Sequence, residues 1–135
     1  MAFKFGEKII GTIRYVPIQQ NLTLTEKLLH QESLYEHISG YDCWEVGRLV
    51  LDSDYRSGSD FLKTFLSLSL KCLIENSNAE VLVASCTHVL SRLYGRFGFS
   101  PLAKNIRLQD TQKIYTLIQA PVSKVREKLS EIKSN

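Results

Sequence analysis

Residues 44–85 read WEVGRLVLDSDYRSGSDFLKTFLSLSLKCLIENSNAEVLVAS, and the order of patterns in this stretch decides the fold. Residues 44–51, WEVGRLVL, are apolar and β-branched and predict a strand. Residues 52–59, DSDYRSGS, form a polar turn. From Asp60 apolar residues recur at helical spacing, at Leu62, Phe65, Leu66, Leu70 and Leu73, with Phe61, Leu68 and Ile74 adding width. A helix lying against a sheet is expected, with Ser59 or Asp60 as its N-cap. After the polar ENSNAE comes VLVAS, short and apolar throughout, as in a strand covered on both faces. Strand, helix and buried strand in this order predict a parallel pair joined by a right-handed crossover at the centre of an α/β sheet.

Working outward, AFKF and IIGTIRYVPI alternate as two strands about a Gly6-Glu7-Lys8 turn. Ile9, Ile13 and Tyr15 fall on one face, and Ile10, Thr12 and Arg14 on the other. Residues 24–38 predict a short or broken helix, with Leu24, Leu28, Leu34 or Tyr35, and Ile38 near one side and Ser39-Gly40 as the stop. Downstream, THVLSRLYGRFGF predicts a short helix ended at Gly98. IRLQ and KIYTLIQA predict two strands around Asp110-Thr111-Gln112. Pro121 opens an amphipathic helix with Val122, Val125, Leu129 and Ile132 on one stripe. The expected order is β-β-α-β-α-β-α-β-β-α, one domain over residues 1–135 with a mixed α/β sheet and a core over 2–118.

Length and composition bound the function. The 135 residues suit one domain, and 44% hydrophobic, 10% aromatic and 23% charged residues exclude a chain too polar to collapse. No apolar run approaches bilayer length, and MAFKFGEK lacks the pattern of a secretory leader, so a soluble cytoplasmic protein is expected. Seventeen Lys plus Arg against fourteen Asp plus Glu leave a net charge of +3. That fits a phosphate-bearing ligand or an acidic partner protein. The basic residues are scattered and not interleaved with stacking aromatics, which argues against a nucleic-acid partner. Cys43, Cys72 and Cys86 have no C-x-x-C spacing and are read as reduced thiols.

The first chemical candidate is the loop Tyr55-Arg56-Ser57-Gly58-Ser59-Asp60 between a strand and the helix it feeds. Backbone N–H groups at a helix N-terminus carry positive partial charge, so a Ser/Gly turn there can cradle a pyrophosphate, with Arg56 as a charged clamp. The alternative is a plain cap and turn. Glu45 and Arg48 have two readings, a cross-strand ion pair or a functional role. His88 stands alone at a helix start without a spaced partner, and His30 and His37, seven apart, do not share a metal site. No metal is expected. Cys86 ends the buried strand without a placed base and is read as inert. Trp44, Tyr15 and Tyr35 belong to the core or to a ligand pocket.

The run Leu93-Tyr94-Gly95-Arg96-Phe97-Gly98-Phe99, one strand after the Arg/Gly loop, resembles the L-Y-x-x-x-G-F signature of the GNAT superfamily of acyl-CoA-dependent N-acyltransferases. Gly11 to Arg14 and Glu45 to Val50 are similar to the G-x-x-R and E-v-x-R-l-v segments of its N-acyl amino acid synthase and acyl-homoserine-lactone synthase branch. The resemblance covers residues 2–118. It implies a GNAT-like mixed sheet with a splayed central parallel strand pair and helices on both faces. It implies an acyl-CoA or acyl carrier protein donor whose phosphopantetheine is held by Leu49, Val50, Leu51, Arg56, Ser57, Gly58, Ser59 and Asp60. It further implies Glu45 as base, Tyr94 as acid for the departing thiolate, and Arg14 and Arg48 at a small-molecule amine acceptor. A homodimer in which the tail Val122 to Ile132 or the first hairpin completes a neighbour's core is a further reading compatible with these. The loop glycine stands one place earlier than the motif, Phe61 fills its final small position, and the chain opens at what resembles the family's second strand. A binding or regulatory module with the same sheet is the alternative reading.

Overall fold

The computed structural model describes residues 2–5, 8–18, 23–51 and 59–133, and the side chains of 11–18, 23–49 and 62–131 among them. The element order matches the expected one: β1 (Ala2–Phe5), β2 (Lys8–Pro17), α1 (Leu24–Gln31), a 3-10 turn (Tyr35–His37), β3 (Cys43–Leu51), α2 (Ser59–Asn76), β4 (Val81–Cys86), α3 (His88–Gly95), β5 (Ser100–Arg107), β6 (Ile114–Pro121) and α4 (Val122–Lys133). Six strands form one sheet in the order β1-β2-β3-β4-β6-β5. Only β3 and β4 run parallel among these neighbours, joined through α2; the other adjacent pairs are antiparallel.

The sheet is covered on both sides, which is why β4 is apolar without alternation. Leu82, Ala84 and Cys86 point to a core built with Leu62, Phe65, Leu66, Leu70 and Leu73 of α2 and with Val122, Val125 and Leu129 of α4. Val83 points the other way, to Leu28 and Leu29 of α1, Ile38, Cys43 and Leu117. Val122, Val125 and Leu129 of the α4 stripe are thus buried in their own chain, which corrects the reading in which the tail, rather than the first hairpin, completes a neighbour's core; the side chain of Ile132 lies outside the described residues. Tyr94, Phe97 and Phe99 close the first core beside α3.

Several boundaries differ from the expected ones. The helix after Thr23 stops at Gln31 and gives way to the 3-10 turn, with Glu32 N–H bonded to the Leu28 carbonyl and Ser33 at a φ of 57°. Strand β5 begins at Ser100 and takes in Pro101, which an edge strand tolerates because no partner needs its missing N–H. α2 begins at Ser59, so Ser59 and Asp60 stand inside its first turn rather than capping it. Leu68 is exposed and Ser69 is buried in its place, because Leu68 lies half a turn off the Leu66–Leu70 row. Gly6 and Glu7 of the expected hairpin turn lie outside the described residues, while Phe5 pairs with Lys8 as that turn requires.

The helix α3 ends at Gly95, and Gly98 in the turn after it takes a φ of +98° against α4. A Cβ there would meet Lys124 Cγ at 3.2 Å and the Lys124 carbonyl oxygen at 3.4 Å. Gly98→Ala is expected to destabilise the protein by about 1–3 kcal/mol through backbone strain. The readout is a lower denaturant midpoint at an unchanged slope; an unmoved midpoint would show that the turn adopts another conformation.

Candidate functional site

The parallel pair β3–β4 is closed at one end and open at the other. At the closed end Glu80 N–H bonds the Asp42 carbonyl at 2.7 Å, and Asp42 N–H bonds Glu80 Oε1 at 3.0 Å. The register then runs Cys43↔Val81, Trp44↔Leu82 and Glu45↔Val83, and stops. Past that point β3 continues to pair only with β2, through Gly11↔Leu51, and β4 only with β6, through Cys86↔Thr116, among the described residues. The strands separate inside an otherwise continuous sheet, as the splayed pair was expected to do.

A bulge on β3 marks the opening. Between Thr12↔Val50 and Arg14↔Gly47, β2 advances two residues and β3 three, with Arg48 at a φ of 52°. The extra residue shifts the alternation: Trp44 and Val46 face the α2 core before it and Leu49 after it. Such a bulge re-aims backbone N–H groups, and it stands directly before Leu49 to Leu51, the segment of β3 expected to hold the phosphopantetheine.

Glu45 is the last residue of β3 paired with β4, on the face that carries α1. It is 6% exposed, and its Oε1 is buried without a hydrogen bond. Arg14 faces Gly47 while Val16 faces Glu45, so Arg14 and Glu45 are diagonal neighbours on one face. The Arg14 Nε is likewise buried without a hydrogen bond. Among the described residues Glu45 forms no ion pair with Arg14 or Arg48, which removes the cross-strand ion-pair reading, and Arg48 is exposed. A buried carboxylate lacking a partner is costly, and it keeps its hydrogen-bonding capacity for something that enters. Thr25, fully buried on α1, bonds Ser85 of β4 at 2.8 Å just beyond the opening. Neither residue was singled out from sequence. Thr25 stands three and four places before Leu28 and Leu29, and that spacing is the signal that puts it on the buried face.

Tyr94 lies on the opposite face. It is 6% exposed, packed edge-on to Phe99 at 5.4 Å between ring centres. Burial, then the neighbouring Cys86 and Tyr15, push its phenol well above the usual range. Among the described residues no hydrogen bond occupies the hydroxyl. A phenol that stays protonated can give its proton to a departing anion. The splay therefore separates a carboxylate on one face from a proton donor on the other.

The remaining candidates divide. Ser59 and Asp60 open α2, and Val50 and Leu51 end β3. Arg56, Ser57 and Gly58 lie outside the described residues. The Cys86 thiol is pushed up to about 11 and the Cys43 thiol to about 12, both chiefly by burial. Both therefore stay as thiols near neutrality, as the inert reading of Cys86 expected. His88 is exposed on the first turn of α3, and His30 stacks on Tyr35 at 4.3 Å. Among the described residues no group of His, Cys, Asp and Glu is arranged to hold a metal ion, and no helix is long and apolar enough to cross a membrane.

No protein-family model matches the chain, and no curated protein matches it. Solved structures do. FeeM, an N-acyl amino acid synthase from uncultured soil microbes, superimposes with a TM-score of 0.74 at 15% identity over 94% of this chain and 74% of its own. The AHL synthase LasI gives 0.67 at 15% identity over 95% and 66%. BjaI, a CoA-dependent acyl-homoserine lactone synthase solved with SAM and isopentyl-CoA, gives 0.63 at 13% identity over 97% and 62%. The chain thus spans about three quarters of FeeM and slightly under two thirds of the two others. The shared architecture is the GNAT-like fold.

The raised acids set an alkaline limit to stability. The buried Tyr15 phenol is also pushed up, to about 12. The unfolded chain releases these protons nearer the ordinary values of 9 to 10, so their contribution is complete below about pH 9 and declines as pH rises toward 11 and 12. Denaturant midpoints should fall steadily over that window; a flat profile would contradict the burial of these groups.

Proposed function

On the fold it shares with N-acyltransferases, we propose that the chain transfers an acyl group from a phosphopantetheine thioester to a small-molecule amine, an amino acid in the first instance. The donor is acyl-CoA or an acyl carrier protein, and the setting is cytoplasmic. The observation that carries this reading is the sheet opened past Glu45↔Val83, with a buried carboxylate lacking a hydrogen-bond partner on one side and a buried protonated phenol on the other.

The roles we assign are those that this arrangement supports. An amine arrives at neutral pH as an ammonium ion and cannot attack until it loses a proton. Glu45 takes that proton, and Arg14 beside it offers a guanidinium to a carboxylate on the same acceptor. The free amine forms its bond to the thioester carbonyl carbon, and backbone N–H groups at the β3 bulge stabilise the negative charge on the oxygen. The carbon–sulfur bond then breaks. Tyr94 gives its proton to the sulfur and recovers one from the nitrogen, leaving an amide and a thiol, while the proton on Glu45 passes to water. Arg56, Ser57, Gly58, Ser59 and Asp60 are assigned to the pyrophosphate, where the partial positive charge of a helix N-terminus favours it. Arg48, exposed beside the bulge, is assigned to the acceptor side.

A thermal-shift series with CoA, acyl-CoAs of increasing length and acylated carrier protein tests donor binding, since a ligand of the native state raises the midpoint with its occupancy. Tyr94→Phe should then lower kcat by about 10²–10⁴-fold while that shift persists. Glu45→Gln should lower turnover similarly without loss of stability, because it replaces a buried charge that has no hydrogen-bond partner at Oε1 by a neutral isostere. Full turnover in both variants would overturn the assignment, and donor binding without turnover in the parent chain would favour the binding-module reading.

A further inference from the structure

On the α2 face of the sheet a cavity of about 280 Å³ lies among Tyr15, Trp44, Cys72, Leu73, Asn76 and Ser77. Its position relative to the opening follows from the register. Tyr15 pairs with Val46, one residue past the last β3–β4 pair, whereas Trp44 lies on the closed side. Tyr15 is therefore the lining residue of the strands nearest the splay. Its hydroxyl bonds Ser69 Oγ at 2.9 Å, and Ser69, fully buried, in turn donates to the Leu66 carbonyl at 3.0 Å. A polar bond thus bridges strand and helix inside a core otherwise formed by Ile13, Val46, Leu66, Leu70 and Leu73. Tyr15 is also close enough to Tyr94 to disfavour its ionisation. Tyr15 thus both borders this unfilled space and stands level with the start of the splay.

We propose that Tyr15, held across to α2 by Ser69, is the end wall of the acyl-chain channel and sets the longest acyl group accepted, with the Trp44–Cys72 cavity as the space a longer chain would enter. This rests on the acyl-transfer reading and names the residue that governs its donor. The apolar surroundings suit methylene groups, which gain by leaving water and ask for no hydrogen bonds. Pockets for small ligands begin near this volume, so the space behind the wall takes a useful length of chain. Tyr15 acts on specificity and touches neither the acceptor amine nor the leaving sulfur.

The test is the binding of straight-chain acyl-CoAs, from butyryl to palmitoyl, to the parent chain and to Tyr15→Ala and Tyr15→Phe. Tyr15→Ala should bind longer donors than the parent by on the order of tenfold, what burying about two further methylenes is worth. Tyr15→Phe keeps the ring and should keep the parent's length preference. Tyr15→Leu carries the same expectation as the alanine variant should that one fail to fold. A folded truncation variant that binds short donors normally and shows the parent's length preference overturns the proposal while leaving the acyl-transfer reading intact. A parent chain that neither an acyl-CoA of any length nor acylated carrier protein stabilises overturns that reading, and the end wall with it.

Discussion

Everything in this structure that bears on function depends on where the hydrogen bonding between β3 and β4 stops. Parallel strands are held by evenly spaced bonds, and nothing in the ladder itself limits its length. Here the pairing lasts three residues, anchored by the reciprocal Asp42–Glu80 contacts at one end and abandoned after Glu45↔Val83 at the other. The strands do not fray on separating, because β2 holds β3 and β6 holds β4 through to their last residues. Two rigid half-sheets meet along a short seam, and the wedge beyond it exposes backbone groups to whatever enters between them.

That wedge joins two environments which a continuous sheet would keep apart. On the α1 side lie buried polar groups, Glu45 and Arg14 with atoms that no hydrogen bond satisfies and Thr25 bonded to Ser85. On the α2 side lie buried phenols, Tyr94 and Tyr15, whose protons are held by desolvation. Acyl transfer to an amine needs a proton removed at one place and another delivered elsewhere. In the proposed mechanism Glu45 takes the first on one face and Tyr94 delivers the second on the other, so position divides the two tasks. The cost falls on stability, through a carboxylate buried with an oxygen that no hydrogen bond satisfies, and sites of this kind are where proteins accept it.

Much of this was legible in residues 44–85. The apolar strand, the Ser/Gly turn, the helix and the fully apolar VLVAS specify a parallel pair by burial pattern alone, and the structure has it. Glu45 and Tyr94 stood out as candidates through the resemblance of their segments to E-v-x-R-l-v and L-Y-x-x-x-G-F. Other features were not. Leu68 faces water and Ser69 faces the core, since a stripe of leucines eight residues long does not say which of them the sheet will cover. The α4 stripe reads equally as an intramolecular helix or a neighbour's supplement, and only its packing on Leu70 and Leu73 decides between them.

The sequence by itself determined the order and type of the elements, because hydrophobic periodicity and turn residues act over short range and each segment declares its own buried face. Tertiary structure alone decided the splay, the diagonal placement of Arg14 and Glu45, and the position of Tyr15 at a cavity beside the splay. These arise from register, and register is a relation between segments distant in the chain. One extra residue at Arg48 turns Leu49 to the α2 face that Val46 also takes, against unbroken alternation, and no local pattern around it records that shift.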